Sequence, residues 1–379
     1  MADQPVSNEA QPKKSNKISL AILIFLILVL IGFITVYIRE RKEIKTAQRL
    51  ATAQSYINQG KFSDAILELN KVIANNPNDA EAYSLRATAY ELSRSNVFTE
   101  QQDYFVSSLH DLDKLIELQP TNGNNYVVRN FIFRELASMA KDSATEFALY
   151  ELANDNAEKA IQLGVSPDYS YIYRHHASNL IKANHCKQGL QETEGLLNQS
   201  KPGDPNIDYY NMYQTEAYIC LGDLNKALET AQLIQCDGPL ASCRSMYLVE
   251  IYFQSGESQK ALDLINQMID SEPTYGAWRY FIRALIYYER GEKELALQDL
   301  TTGDNYSWFS NGVYWYVKAK LAFDEGDHEN GMLYLQYAES TLDVQYTPFR
   351  QKILKELKAR GGNPLIVSPQ IPLVTTPIP

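Results

Sequence analysis

Apolar residues follow two different patterns along this chain. Residues 18–38 form one apolar run that contains no charged side chain. From about residue 46, apolar positions instead recur in a fixed register with polar stretches and regularly spaced glycines. A helix made of residues 18–38 would be about 30 Å long, which matches the hydrocarbon core of a bilayer. The pattern therefore predicts one transmembrane helix followed by an all-α domain.

A repeated phrase, Tyr-x-x-x-Gly-x-x-x-x-Ala, organises the second region. Successive glycines are 34, 35 and 35 residues apart, and a small residue follows each of them by five positions. The copies are Tyr218, Gly222 and Ala227; Tyr252, Gly256 and Ala261; Tyr287, Gly291 and Ala296; Gly326 and Gly331; and, earlier, Tyr56, Gly60 and Ala65. Glycine can end a helix in the left-handed conformation, and a small residue lets two helices cross closely. Each unit of about 34 residues is therefore predicted to be two antiparallel helices.

This phrase resembles the tetratricopeptide repeat (TPR) family, as do the prolines that end several units, Pro77, Pro120 and Pro273. The resemblance covers most of residues 46–341 and implies a right-handed α-solenoid of antiparallel helix pairs. The clearest copies are 46–79, 208–241, 242–276 and 277–311, and degenerate copies are 80–121, 122–168, 169–204 and 312–341. In the copy at 169–204, Asn184 replaces the turn glycine and Gly189 replaces the crossing alanine.

The flanking segments complete the predicted organisation. They are a short polar and basic tail at 1–17, a basic juxtamembrane segment at 39–45, a capping helix at 342–360 and a Pro-rich disordered tail at 361–379. A cleaved signal peptide is the main alternative to an anchor at residues 18–38. Such a peptide has a shorter apolar stretch and a small-residue cleavage site. Because Arg39 begins a charged stretch here instead, we favour an uncleaved anchor with a single membrane pass.

The side of the membrane depends on two opposing signals. Lysine and arginine flank both ends of the apolar run, and their count slightly favours a cytoplasmic repeat domain. The four cysteines favour the other side, because repeat geometry brings Cys186 near Cys220, and Cys236 and Cys243 flank a short connection. Disulfides indicate an oxidising compartment, although four reduced, buried cysteines would fit the sequence too. We expect an extracytoplasmic repeat domain.

Net charge and the motifs present limit the possible partners and activities of the chain. The chain has a net charge of −11, and beyond residue 45 the acidic residues outnumber the basic ones by 14. Such a surface repels phosphate, so nucleic acid is predicted not to be a partner. Neither His175-His176 nor His185-Cys186 has the spacing of a metal or nucleophilic site, and no catalytic or phosphate-binding motif occurs. We therefore predict no enzymatic activity, no metal and no cofactor.

The resemblance also implies a binding groove, because first helices line the concave face in this family. The mapped positions are Tyr171 and Arg174; Tyr209, Met212 and Glu216; Met246, Glu250 and Phe253; Trp278, Phe281 and Tyr288; and Tyr316, Lys320 and Phe323. Exposed aromatic side chains on such a strip are typical of surfaces that hold a partner. Alternatively, the strip buries itself, and the helix near residues 348–359 or the tail at 361–379 lies along it.

Together these features indicate a non-enzymatic scaffold, anchored by residues 18–38, that binds protein or peptide partners. The resemblance places it in the assembly, secretion or maintenance of an envelope complex. The alternative is an extracytoplasmic protein that binds a small molecule or glycan stacked on Trp278 and Tyr288.

Overall fold

A computed structural model describes most of the chain and shows helices throughout. The described residues are 16–93, 98–140, 143–166, 170–235, 243–271, 276–306, 312–341 and 347–363. They form seventeen α-helices, and this part of the chain contains no strand. The predicted all-α class is confirmed. The chain divides into two compact units, Met1–Ala89 and Tyr90–Pro379.

Unit 1 contains α1 (Asn16–Asn58), α2 (Phe62–Asn75) and most of α3 (Ala80–Leu92). The first helix is 43 residues long and carries both the apolar run and the first helix of the first repeat without a break. Its C-terminal part packs on α2 through Ala53 and Leu69, both fully buried. Its N-terminal part, from Ile22 onwards, is long and apolar enough to cross a membrane, and its side chains are not buried in protein.

Unit 2 consists of helix pairs that stack in chain order. Its helices are α4 (Phe98–Leu118), α5 (Gly123–Ser138), α6 (Ser143–Leu163), α7 (Ile172–Lys182), α8 (Cys186–Gln199), α9 (Ile207–Leu221), α10 (Leu224–Leu233), α11 (Cys243–Gln254), α12 (Ser258–Ser271), α13 (Trp278–Glu289), α14 (Lys293–Tyr306), α15 (Gly312–Asp324), α16 (His328–Thr341) and α17 (Thr347–Ala359). From α5 to α16, each first helix packs on the second helix of its pair, and each second helix packs on the next first helix. The first helices α7, α9 and α11 also contact in sequence, as do α13 and α15. Their common surface is called the first-helix face below.

The turn glycines have the conformation that the phrase predicts. Gly222 ends α9 with φ of 78°, and the next backbone N–H, of Asp223, donates to the carbonyl of Tyr218 at 2.9 Å. This bond closes the helix end and fixes the spacing of the tyrosine and the glycine. Asn184 has φ of 68° and makes the same turn without glycine. Asparagine tolerates this conformation better than most side chains.

The crossing positions are as tight as the phrase requires. Ala65, Ala227, Ala261 and Ala296 are all fully buried. At the degenerate crossing in α8, a Cβ on Gly189 would lie 3.1 Å from the carbonyl oxygen of Ala177 and would overlap Ile181. Helix axes can approach this closely only when the crossing residue is small. The chain therefore has a tetratricopeptide-type fold by its own turns, crossings and helix stacking.

Candidate functional site

The C-terminal helix α17 covers the later half of the predicted strip. It packs on α16 and reaches α9 across the first-helix face. Ile353 and Leu357, one turn apart on α17, are fully buried in a cluster that includes Phe281 and Tyr316. At Phe281 and Tyr316 the strip is therefore buried, the second of the two alternatives, because they are 1% and 0% exposed. An amphipathic helix must bury its apolar stripe, and this face provides the partner surface.

Polar contacts fix the middle of α17 against α15. The hydroxyl of Tyr316 donates to one Glu356 carboxylate oxygen at 2.9 Å, and the Lys320 ammonium lies 3.5 Å from the other. Burial raises the pKa of Glu356, but the Tyr316 hydrogen bond and the charges of Lys320 and Arg360 outweigh it and hold that pKa below its ordinary value. Burial and Glu356 raise the pKa of Tyr316. The carboxylate is therefore ionised and the phenol neutral at physiological pH.

Cationic side chains hold the two ends of the described part of α17. The Lys352 ammonium lies 3.4 Å from a carboxylate oxygen of Glu289 and 5.9 Å from the ring centre of Phe253. The Arg360 guanidinium lies 3.8 Å from the ring centre of Phe323. Both contacts are within the range of cation–π attraction. Phe253 and Phe323 thus belong to the half of the face that α17 covers, called the covered half below.

Trp278 and Tyr288, the candidates for sugar stacking, have other contacts. Trp278 is half-buried against the cluster around Ile265 and folds back over the backbone of Gly276. Tyr288 donates to a carboxylate oxygen of Asp324 at 2.7 Å, and the Lys320 ammonium lies 5.9 Å from its ring centre. The two rings therefore do not offer a free pair of faces.

The earlier half of the face is charged rather than aromatic, and it is called the charged half below. It comprises Arg134 on α5, Arg174 and Lys182 on α7, Glu216 on α9 and Glu250 on α11, all half-buried. Each side chain thus keeps part of its surface in contact with solvent. Arg134, Lys182 and the nearby Tyr213 were missed by the sequence mapping. Lys182 lies eight residues after Arg174 on the same stripe of α7, so extending that row by two turns would have found it.

Three cations form the positive end of the charged half. Burial and the charges of Arg134, Arg174 and Lys182 lower the pKa of His175 to about 3. The imidazole is therefore neutral at physiological pH. Burial lowers the pKa of Lys182, but Tyr150 and Glu216 raise it more, so the pKa is above its ordinary value. Lys182 thus stays charged although it is half-buried.

Two carboxyl groups form the acidic end, and one of them, Glu250, is mostly protonated at physiological pH. The hydroxyl of Tyr247 donates to a Glu216 carboxylate oxygen at 2.5 Å, and the Gln254 amide donates to Glu250 at 3.0 Å. The pKa of Glu250 is raised to about 8, because burial and the charge of Glu216 raise it by more than the Gln254 hydrogen bond lowers it. A cation placed beside Glu250 would favour its ionised form.

The remaining predicted residues of this half lie on or beside α7, α9 and α11. The Arg174 guanidinium lies 4.1 Å from the ring centre of Tyr209 and donates to the Asn206 side chain at 2.7 Å. Tyr171, directly before α7, contacts the His175 ring at a centroid distance of 4.9 Å. The predicted methionines Met212 and Met246 are half-buried and pack on the clusters beneath the face. These side chains add apolar surface to the charged half.

One predicted cysteine pair is brought together. The sulfurs of Cys186 and Cys220 form a disulfide between α8 and α9, with a Cα–Cα distance of 6.2 Å. The second predicted pair, Cys236 with Cys243, lies outside the described side chains, and residues 364–379 of the tail lie outside the described residues. Among the residues that the structure describes, no group of three or more His, Cys, Asp or Glu side chains is arranged to hold a metal ion.

Comparisons with known proteins return structures of similar fold. No protein-family model matches the chain, and no curated protein matches it. A TPR protein from Parabacteroides merdae is 13% identical, with 83% of this chain and 99% of that chain covered and a TM-score of 0.46. PilF from Pseudomonas aeruginosa is 13% identical, with 61% and 94% covered and a TM-score of 0.40. The human IFIT1 dimer with m7Gppp-AAAA is 15% identical, with 81% and 70% covered and a TM-score of 0.49.

The human IFIT1 structures overturn one prediction. They contain capped RNA in one case and PPP-AAAA in another. The sequence-based exclusion of nucleic acid is therefore wrong, and we withdraw it. Its physical error is that net charge describes a whole surface, whereas a face can carry a local charge of the opposite sign. Arg134, Arg174 and Lys182 form such a basic cluster on an acidic protein.

Proposed function

We propose that this chain, which has a tetratricopeptide-type fold, is a membrane-anchored scaffold that binds a protein or peptide partner on its first-helix face. The observation that carries the proposal is that this face already holds a helix of the same chain. Ile353 and Leu357 of α17 are fully buried there, and Glu356 is hydrogen-bonded by Tyr316. A surface that accommodates one amphipathic helix has the shape and chemistry for protein segments in general.

The charged half extends that surface. Contacting helices lie roughly 8–10 Å apart, so the span from α7 to α11 is roughly 20 Å. An extended peptide of about six residues has this length. Basic groups on α7 and acidic groups on α9 and α11, with the apolar surface of Tyr209 and Met246 beside them, fit a chain segment that carries side chains of both signs. Electrostatic complementarity of this kind fixes the direction and register of a bound segment.

We propose that residues 18–38 anchor the scaffold and that the repeats lie on the extracytoplasmic side, where they act in the assembly, secretion or maintenance of an envelope complex. The disulfide between Cys186 and Cys220 supports this side, because structural disulfides persist in oxidising compartments. The anchor contributes by confining the scaffold and a membrane-bound partner to one surface, which raises their effective concentration without any catalytic step.

Site-specific photo-crosslinking tests the proposal in living cells. A benzophenone side chain replaces Met246 on the charged half or, as a control, Leu233 on α10, which is 59% exposed. We expect a discrete protein adduct from position 246 and none from position 233. Lys182→Glu should abolish the adduct because it reverses the positive end, whereas Lys187→Glu, exposed on α8, should leave it intact. Equal adducts at both positions, or adducts insensitive to Lys182→Glu, contradict the proposal.

A further inference from the structure

The contacts of α17 describe a binding site together with its occupant. On α17, the buried apolar residues Ile353 and Leu357 are four positions apart, so they form one stripe. Glu356 lies beside that stripe and faces Tyr316 and Lys320 of α15. This pattern of two apolar residues with an acidic neighbour is short, and any amphipathic helix that carries it presents the same groups.

Basic side chains flank the stripe at both ends. Lys352 precedes Ile353 and contacts Glu289 and Phe253, and Arg360 follows Leu357 by three residues and lies over Phe323. Lys355 and Lys358, which lie on the same helix, are exposed. The face therefore recognises α17 through one narrow stripe, one acidic group and two terminal cations.

The ion pair at the N-terminal end of the described part of α17 is partly solvent-exposed. The Lys352 and Glu289 side chains are 50% and 36% exposed. Ion pairs with this exposure contribute little to stability. Two buried apolar side chains and the half-buried Glu356 carboxylate thus hold the described part of the helix, together with a C-terminal contact in which the Gln336 amide donates to the Asn363 carbonyl at 3.0 Å.

We propose that α17 is an exchangeable intramolecular ligand, and that the covered half binds an amphipathic helix of a partner protein with the α17 pattern: a base, apolar residues at i and i+4, an acid at i+3 and a base at i+7. This inference names the partner class for the proposed scaffold and rests on it. Residues 342–346 join α17 to α16, and so short a tether gives an effective concentration on the order of millimolar. A partner helix of equal intrinsic affinity displaces α17 only when it reaches a comparable local concentration, which confinement to the membrane surface provides.

Cleavage of the tether tests the exchange in the intact chain. The full-length protein, in lipid nanodiscs, carries a protease recognition sequence within residues 342–346. The probe is a fluorescent synthetic peptide of residues 347–362. Before cleavage the peptide should bind at least ten-fold more weakly than after cleavage and dilution, because the tethered helix occupies the site. Bound peptide is measured by fluorescence anisotropy, and repeat folding by circular dichroism on the same sample.

Matched peptides identify the determinants. Ile353→Asp in the peptide should weaken binding at least ten-fold, because a charge would enter the buried stripe. Lys358→Ala changes an exposed residue and should bind like the original peptide. Equal binding of the Ile353→Asp peptide overturns the proposed pattern.

Two outcomes overturn the exchange itself. In the first, the cleaved segment stays bound after dilution and the fluorescent peptide does not bind. In the second, the repeats lose their helical circular dichroism signal when the segment dissociates. Either result makes α17 a permanent part of the core. If the exchange fails while the benzophenone at position 246 still gives its specific adduct, only this inference falls. If the adduct is absent too, the proposed scaffold function fails with it.

Discussion

Removing the disulfide between Cys186 and Cys220 should destabilise the junction between α8 and α9. The bond joins residues 34 apart in sequence. Closing a loop of that length in the unfolded chain restricts its entropy by an amount equivalent to about 4 kcal/mol of stability, an upper value for the native bond. Cys186→Ala and Cys220→Ser together remove the bond. Cys186 is buried, so alanine also loses a little packing there.

The assay compares three samples of the full-length protein: oxidised wild type, wild type in reductant, and the double variant. Repeat arrays unfold in local units, so a single midpoint averages over many pairs. Hydrogen exchange of the α8 and α9 amides isolates the affected junction. We expect exchange to accelerate there in the reduced and variant samples alike, and α13 and α14 to change little.

Two results would refute this reasoning. One is an oxidised wild type whose α8 and α9 amides exchange no more slowly than those of the double variant. The other comes from intact cells, where an impermeant thiol reagent should label Cys220 only after reduction. Labelling that occurs only after cell lysis, with the thiols already free, would place the repeats in the cytoplasm and remove the basis for an oxidising compartment.

Further predictions concern packing, pH and a buried ion pair. Gly189→Ala should destabilise by about 1–3 kcal/mol because the added methyl meets Ile181 and the α7 backbone, whereas Gly195→Ala on the same helix meets nothing within 4 Å and should be neutral or stabilising in thermal unfolding. The pKa of Glu250 is about 8 in the folded state, above its unfolded value, so its contribution to stability is complete below about pH 4 and is lost as pH rises through 8. Glu250→Gln should flatten the fall in denaturation midpoint between about pH 5 and pH 8, and an unchanged slope would contradict the assignment. Asp299 accepts two hydrogen bonds of 2.7 Å from Arg283, and Asp299→Ala should cost about 1–3 kcal/mol in chemical denaturation because it removes the carboxylate partner of a half-buried guanidinium. A loss below about 1 kcal/mol would show that solvent reaches Arg283.

The repeats could be predicted from sequence because their requirements are local. The left-handed turn at Gly222 requires glycine or a similar residue, and the buried crossing at Ala227 requires a small one. Neighbouring repeats have the same requirements at the same spacing. The degenerate copy at 169–204 meets the same two requirements with other residues. Asn184 adopts the left-handed conformation, and Gly189 lies at a crossing where a methyl group would overlap its neighbours.

The position of α17 could not be predicted in the same way. Repeat register states which helix follows which, but a helix after the last repeat can stack on the end or turn onto the first-helix face. Long-range packing of Ile353 and Leu357 on Tyr316 decides between these arrangements. Lys182 of the charged half was missed for a different reason. The groove positions that the family resemblance implies end before Lys182 in this repeat. Lys182 lies further along the same stripe of α7.

The unbroken helix α1 gives the first repeat a fixed rotational phase relative to the apolar run. Between Ile38 and Leu50, where contact with the cluster shared with α2 begins, the backbone rises by about 18 Å at 1.5 Å per residue. One residue inserted into segment 39–45 would turn α2 by about 100° around the α1 axis, whereas seven residues would restore its direction to within about 20°. With the apolar run in a membrane, as we propose, the length of segment 39–45 selects which side of the first repeat faces neighbouring membrane proteins.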